Sequence, residues 1–161
     1  MAYQGYKTEE EIFLDVEKAF PFQSKPEAFM LTNRGDEDCV CRYIVEHMRH
    51  YPEPIIPMEG VRYMHSELAN LSVAGMCWLL PNLLRKALLC TNRFDTLTET
   101  IIYDLELASE GDELAKTRYF WLSHCQLQCL ENILEYLSEK HGHSIGKAML
   151  AIHQLTTWQT R

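Results

Sequence analysis

The sequence predicts an all-α protein, one domain over residues 1–161 built as a bundle of about six or seven helices. Apolar residues recur at the 3.6-residue period of a helix in at least five segments, and no long stretch shows the two-residue alternation of a strand. Residues typical of helix N-termini precede several of these segments. A length of 161 residues also fits one domain with a full apolar core.

The first helices are marked by their boundaries. Thr8 and Glu11 form the pattern of a capping box, and Pro21 ends the helix that follows. Residues 21–35 are predicted as an ordered loop. Helices are predicted over residues 36–51 and 61–71, and the proline-rich segment YPEPIIP between them favours an extended chain.

The segment MCWLLPNLLRKALL belongs to a predicted central helix that Ser72 caps. Its apolar residues cover nearly the whole circumference, which is typical of a helix packed on several sides. Pro81 lies beyond the first turn, where it removes a backbone hydrogen bond at a cost of about 3 kcal/mol in a straight helix. A kink or a break is therefore expected within one turn of Pro81. The side chains predicted to be buried around it are Trp78, Leu80 and Leu84.

The C-terminal half predicts three further helices. The first is TLTETIIYDLELA, which the segment SEGDE ends. Ser123 is the predicted N-cap of a long helix that ends at a C-cap formed by His141 and Gly142. The segment SIGKAMLAIHQLTTWQ is predicted as the last helix.

Charge and composition restrict the function classes. The net charge is −8, which disfavours direct binding of nucleic acid or an anionic membrane and favours a basic protein partner. The N-terminus lacks the pattern of a signal peptide, and the longest apolar run is far shorter than the ~18 residues of a spanning helix. The six cysteines are interpreted as reduced, buried thiols. These features together predict a cytoplasmic protein.

Three segments follow one another in the order VRYMHSELANLSVAGMCWLLPNLLRKAL, TIIYDLE and LSHCQLQCLENILEYL. Their motifs are Leu71-Ser72, Trp78, Leu80-Pro81 and the segment from Leu122 to Gln126. With these motifs the chain resembles, over roughly residues 10 to 140, an uncharacterised family of small bacterial all-helical proteins. The resemblance implies a helical, soluble protein and brings no established activity, cofactor or site residue.

One set of residues has the composition of a metal site. Cys39, Cys41, His47 and His50 have the spacing C-x-C-x5-H-x2-H, and the two histidines share a helical face. If Cys39 belongs to the same helix, it lies ~12 Å from His47 along the axis. Zinc needs all its ligands within about 2.0–2.3 Å, so the site requires both cysteines to lie in a turn before the helix. Exposed histidines and buried thiols are the competing interpretation.

Sequence patterns of a catalytic cysteine or of a nucleotide-binding loop are weak. His124 and Cys125 are adjacent, so on a helix they point about 100° apart and do not form a catalytic pair. The chain has seven glycines but no glycine-rich loop after a strand, which disfavours nucleotide binding. No cofactor is expected.

The acidic segment between Phe94 and Ala115 is the main candidate for a binding surface. It carries seven carboxylates and neither lysine nor arginine, and two aromatic residues accompany it. Aromatic side chains beside charge are typical of interfaces. The predicted partner-binding residues are Asp95, Glu99, Tyr103, Asp104, Glu106, Glu110, Asp112, Glu113 and Trp121. A solvated helix face is the competing interpretation.

The leading hypothesis is a small acidic binding protein of immunity or inhibitor type, which occludes a basic toxin or nuclease. One alternative is a metal-binding protein or enzyme that uses Cys39, His47 and His50. The other is a regulator that binds a small ligand in a pocket at the Pro81 bend.

Overall fold

A computed structural model describes residues 7–160 of the protein and shows an all-α fold, as the sequence predicts. Helices make up 71% of these residues, and no strand occurs among them. The α-helices are α1 (Glu9–Ala19), α2 (Cys39–Met48), α3 (Met58–Met64), α4 (Val73–Leu89), α5 (Leu97–Ser109), α6 (Glu113–Tyr119), α7 (His124–His141) and α8 (Gly146–Gln159). Three 3-10 turns accompany them, at Ala28–Met30, Gly35–Glu37 and His65–Asn70.

The predicted helix caps are confirmed. Thr8 begins α1 with a complete capping box, and Ser123 forms a second capping box at the start of α7. The Ser72 hydroxyl accepts a hydrogen bond from the N–H of Gly75 at 2.9 Å. Gly142 ends α7 in the left-handed conformation with φ 76°, which glycine adopts without steric cost.

Helix α4 packs against α1, α3, α5 and α6. Trp78, Leu80 and Leu84 are fully buried, as predicted. The buried apolar side chains of the described residues form one continuous cluster around this helix. The apolar circumference of α4 thus provides a surface on which several helices pack.

Pro81 does not interrupt α4. The helix runs from Val73 to Leu89 as one element with the proline inside it, so the break that the sequence suggested is not present. The guanidinium of Arg85 donates to the carbonyl of Pro81 at 2.9 Å and to the carbonyl of Phe20 at 2.8 Å. This side chain therefore connects the turn after the proline to the end of α1.

The proline-rich segment before α3 is fixed to α4. Asn82 donates to the carbonyl of Pro54 at 3.0 Å and accepts from the N–H of Ile56 at 2.9 Å. The indole of Trp78 donates to the carbonyl of Glu53 at 3.1 Å. The backbone of this segment does not pair with a strand, so the side chains of Asn82 and Trp78 on α4 provide hydrogen-bond partners for its N–H and C=O groups.

The helix count exceeds the prediction because the sequence analysis missed α6. Gly111 has φ 100° and follows the end of α5, and the carboxylate of Asp112 then accepts from the N–H of Ala115 at 2.8 Å. Asp112 is therefore the N-cap of α6, in addition to belonging to the segment SEGDE that ends the preceding helix. A second difference is that the predicted helix over residues 61–71 consists of α3, which begins earlier, and the 3-10 turn His65–Asn70.

The cysteines are all free, but only three are buried. Cys41, Cys90 and Cys129 lie in the core, whereas Cys39 and Cys125 are exposed in the first turns of α2 and α7. The expectation of buried thiols is wrong for these two, because each lies on the outward side of its helix. Within residues 7–160, no helix has both the length and the apolar character needed to cross a membrane.

Candidate functional site

Cations from outside the acidic segment neutralise part of it. Arg62 of α3 forms a bidentate pair with Asp95, with distances of 3.0 and 2.7 Å. These hydrogen bonds hold the pKa of Asp95 well below its ordinary value of 3.8. Glu110 pairs with Lys147 of α8, and Glu113 with Lys116 of α6 at 2.8 Å. Three of the seven carboxylates are therefore compensated by these ion pairs, although the segment itself contains no cation.

Asp104 is almost completely buried. Its side chain faces inward from α5 and is only 5% exposed. It accepts from the Arg118 guanidinium at 3.0 and 2.5 Å and from the Tyr119 hydroxyl at 2.5 Å. A buried carboxylate requires such pairing inside the protein, so Asp104 has a structural role, and its contact with a partner stays a prediction.

Two further predicted site residues have structural contacts. The carboxylate of Asp112 caps α6. Trp121 is half-buried, and its indole donates to the carbonyl of Arg118 at 2.6 Å. Neither side chain lines the groove described below, so the structure does not bring them together with the rest of the candidate surface.

The remaining candidates form one stripe on α5. Glu99, Tyr103 and Glu106 have the spacing i, i+4, i+7, which places them on one helical face. Neither glutamate forms an ion pair with any residue from 7 to 160. The ring of Tyr103 lies between them and is 63% exposed. We call these three residues the α5 stripe.

The α5 stripe forms one wall of a groove, which we call the α5 groove. The opposite wall is the 3-10 turn His65–Asn70, and the turn between α7 and α8 closes one end. The volume of the groove is about 520 Å³. Its lining residues are His65, Ser66, Leu68, Ala69, Thr96, Glu99, Thr100, Ile102, Tyr103, Asp104, Glu106, Leu107, His143 and Ser144.

Two histidines are held at the edge of the α5 groove by threonine hydroxyls. Nε2 of His65 lies 3.1 Å from Oγ1 of Thr96, and Nε2 of His143 lies 2.7 Å from Oγ1 of Thr98. Neither histidine was predicted as a site residue from the sequence, because both come from segments that are far from the acidic residues along the chain. Carboxylates, a tyrosine face and hydroxyls together can bind a cationic side chain that also presents an apolar stem.

The candidate metal ligands do not converge. Helix α2 begins at Cys39, so Cys39, Cys41, His47 and His50 lie on or beside one helix, and the turn that a zinc site required is absent. Cys41 is buried, with Sγ facing the carbonyl of Asn70, whereas Cys39 is exposed. The His47 ring stacks on Tyr63 with a centroid separation of 3.7 Å. Among residues 7–160, no group of three or more histidine, cysteine, aspartate or glutamate side chains has the geometry of a metal site.

Similarity to known proteins adds no functional information. Searches with protein-family models, with curated proteins and with solved structures give no significant match to the chain. The resemblance to an uncharacterised bacterial family therefore stays a prediction.

Proposed function

We propose that the protein is a cytoplasmic binding protein of immunity or inhibitor type, which captures a basic protein partner in the α5 groove and occludes it. The observation that supports this proposal is the α5 stripe. Two glutamates without an ion pair in the described part of the chain flank an exposed tyrosine at the wall of a groove. Because the other acids of the segment are paired, buried or capping, the binding surface is smaller than the sequence indicates.

The chemistry of the groove favours an arginine or lysine side chain of the partner. A cation over the face of Tyr103 gains about 0.5–1 kcal/mol at an exposed site, and more as water is excluded. Glu99 and Glu106 lie one turn before and after this ring and supply charged hydrogen-bond acceptors. The groove also offers Leu107 and Ile102 as apolar contacts for the stem of such a side chain.

The charge of the whole chain favours rapid capture of such a partner. The net charge of −8 attracts a basic surface at long range, and electrostatic steering of this kind raises association rates by about 10- to 1,000-fold at low salt. Long-range steering depends on all the charges, whereas docking depends on the α5 stripe. An experiment can therefore separate the two contributions by comparing variants with the same net charge.

The alternative function, a regulator that binds a small ligand, depends on a bend of α4 at Pro81. This bend stays a proposal. The proline leaves the carbonyl of Cys77 without its usual donor, which favours such a bend. Pro81 and its neighbours on α4 are buried, however, and the α5 groove lies elsewhere. No observation favours a ligand pocket at this position over a packed core.

The test is the double variant Glu99→Gln with Glu106→Gln. A partner is first isolated from the native host with the wild-type protein, and its association rate is then measured by stopped flow over a range of salt concentrations. We expect the variant to associate about tenfold more slowly at low salt and to depend less on salt. Dissociation should also become faster, because the docked cation loses its acceptors.

The matched control is Glu110→Gln with Glu113→Gln. It changes the net charge by the same amount, but it removes carboxylates that already pair with Lys147 and Lys116 outside the α5 groove. We expect this control to associate at nearly the wild-type rate. Equal slowing of both variants would show that only total charge matters and that the α5 groove is not the docking site.

A further inference from the structure

A second groove lies between α2 and the segment formed by α3 and the 3-10 turn that follows it. We call it the α2 groove. Its volume is about 580 Å³, and its lining residues are Val40, Tyr43, Glu46, His47, His50, Tyr63 and Glu67. Four of these seven side chains are aromatic rings, and two are carboxylates. The α5 groove lies on the other side of the same 3-10 turn and contains only one tyrosine.

Two of the rings belong to a stripe along α2. Val40, Tyr43 and His47 have the spacing i, i+3, i+7 and so share one helical face, and His50 lies in the turn just after the end of the helix. The His47 ring stacks on Tyr63 of α3 with an interplanar angle of 19° and a centroid separation of 3.7 Å. Stacking covers one face of each ring, so the pair holds the free face of His47 in place at the groove and Tyr63 supports this ring from the other side. A site whose rings are fixed before binding loses little side-chain entropy on binding.

The α2 groove is open to solvent at Tyr43 and His50. Tyr43 is 60% exposed, and His50 is exposed just after the end of the stripe. The rings of His47 and His50 are nearly perpendicular, at 79°, with their centroids 6.4 Å apart. Rings that face a space from different directions are the arrangement that surrounds a compact, rounded group and not a flat one.

The charge of the α2 groove is negative. Glu46 forms no ion pair within residues 7–160, and Glu67 accepts a hydrogen bond only from the amide of Asn70, at 2.9 Å. No lysine or arginine lines the groove. Burial and then the charge of Glu67 raise the pKa of Tyr63, so its ring lies within the field of a carboxylate. An anionic ligand would be repelled at this site.

We infer that the α2 groove binds an alkylated ammonium group, such as a trimethylammonium. The methyl groups of this cation pack on the rings of Tyr43 and His50 and on the free face of His47, which Tyr63 supports from the other side. The charge of the cation is balanced by Glu46 and Glu67 at a distance. Quaternary ammonium ions are weakly hydrated and donate no hydrogen bonds, so aromatic faces suit them better than they suit a primary amine. The group can come from a free small molecule or from a methylated lysine of a protein, which have the same chemistry at the groove.

The experiment titrates the full-length protein, in separate samples, with choline, N-acetyl-trimethyllysine amide and the neutral isostere 3,3-dimethylbutan-1-ol. Binding is followed by NMR through the ring signals of His47 and Tyr63. We expect saturable shifts of these signals with both cations and an affinity at least about tenfold weaker for the isostere. Tighter binding of choline would identify a free ligand, and tighter binding of the lysine derivative would identify a methylated protein.

Two variants test the carboxylates. Glu46→Gln with Glu67→Gln should weaken choline binding about tenfold. The matched control, Glu110→Gln with Glu113→Gln, makes the same change in net charge outside both grooves and should leave choline binding unchanged. Because Glu46 is exposed and Glu67 is half-buried, the fold of the first variant is checked by its circular dichroism.

Three results would overturn the inference. One is the absence of ring shifts with either cation. Another is equal affinity for the neutral isostere, which would show a simple apolar contact. The third is equal weakening by both double variants, which would show a general charge effect without a site at α2.

Discussion

At the scale of single residues, the buried ion pair between Asp104 and Arg118 has the greatest energetic consequence. Both side chains are at most 6% exposed, and the Tyr119 hydroxyl adds a second donor to the carboxylate. Burial alone lowers the pKa of Arg118, but the hydrogen bonds and charge of Asp104 outweigh it, and this pKa is raised. Tyr119 is buried as well, and burial followed by the negative charge of Asp104 raises its pKa well above 10.0. Arg118 and Tyr119 therefore keep their ordinary protonation states.

We expect Arg118→Met to lower the free energy of unfolding by about 3–5 kcal/mol, because it leaves the carboxylate of Asp104 buried without a cation. Replacing both partners, as Arg118→Met with Asp104→Asn, should cost less than the single change, since no buried charge remains. Urea denaturation measures both values.

The control for this prediction is Glu113→Gln, which breaks the exposed pair with Lys116 in the same helix. Exposed pairs contribute about 0–1 kcal/mol, so its effect should be small. A similar loss of stability in Arg118→Met and Glu113→Gln would contradict the importance assigned to burial.

At the scale of elements, the N-terminus of α4 depends on a close backbone contact. The carbonyl of Leu31 accepts from the N–H of Ser72 at 3.1 Å and lies against Gly75. A Cβ atom at position 75 would be 2.3 Å from this oxygen, which is too short for any stable contact. Gly75 therefore allows the loop before α2 to approach α4.

Gly75→Ala should lower the free energy of unfolding by about 1–3 kcal/mol, although alanine has the higher helix propensity, because backbone has to move to relieve the overlap. Thermal and urea unfolding of the variant measure the change.

The matched control is Gly146→Ala at the start of α8, where a new Cβ would have no atom within 4 Å. We expect this variant to be neutral or stabilised by up to about 1 kcal/mol. If Gly75→Ala proved as stable as Gly146→Ala, the close approach of Leu31 to α4 would not be a constraint on the fold.

At the scale of the whole molecule, stability should depend on pH through the junction of α7 and α8. His141 is 8% exposed, and Nε2 has no hydrogen-bond partner within residues 7–160. Burial lowers its pKa below 6.5, and the charges of Lys140 and His143 lower it further, while the backbone of Cys90 and the carboxylate of Asp95 oppose this. His141 therefore binds a proton less readily in the folded protein than in the unfolded chain.

We expect the free energy of unfolding to fall as the pH decreases below about 6.5, because the unfolded state then binds more protons than the folded state. A second decrease should follow in stronger acid. The lowered pKa of Asp95 gives stability that is present above 3.8 and is lost as the pH falls through the folded-state pKa. Urea titrations from about pH 7.5 to about pH 2 measure this profile.

His141→Gln should flatten the first part of the profile, while the exposed His124→Gln on the same helix should keep the wild-type slope. Loss of the slope in both variants would mean that another group controls stability in this range.

The sequence by itself determined the local features of this protein. The helical class, the caps at Thr8, Ser72 and Ser123 and the burial of Trp78 follow from interactions within about four residues or from the apolar pattern of one helix. These properties can be predicted because they depend on neighbours along the chain. The short helix α6 was missed, because seven residues contain too little periodicity to distinguish a helix from a loop.

Only the tertiary structure decided which carboxylates are available to a partner. Arg62 reaches Asp95 across 33 residues of sequence, and Lys147 reaches Glu110 across 37. Packing also turns Asp104 inward and leaves Glu99 and Glu106 on the wall of a groove. Such pairings depend on the relative orientation of whole helices, which the many weak contacts of the core determine together. A run of acids along the chain therefore does not reveal which members are exposed charges in the fold.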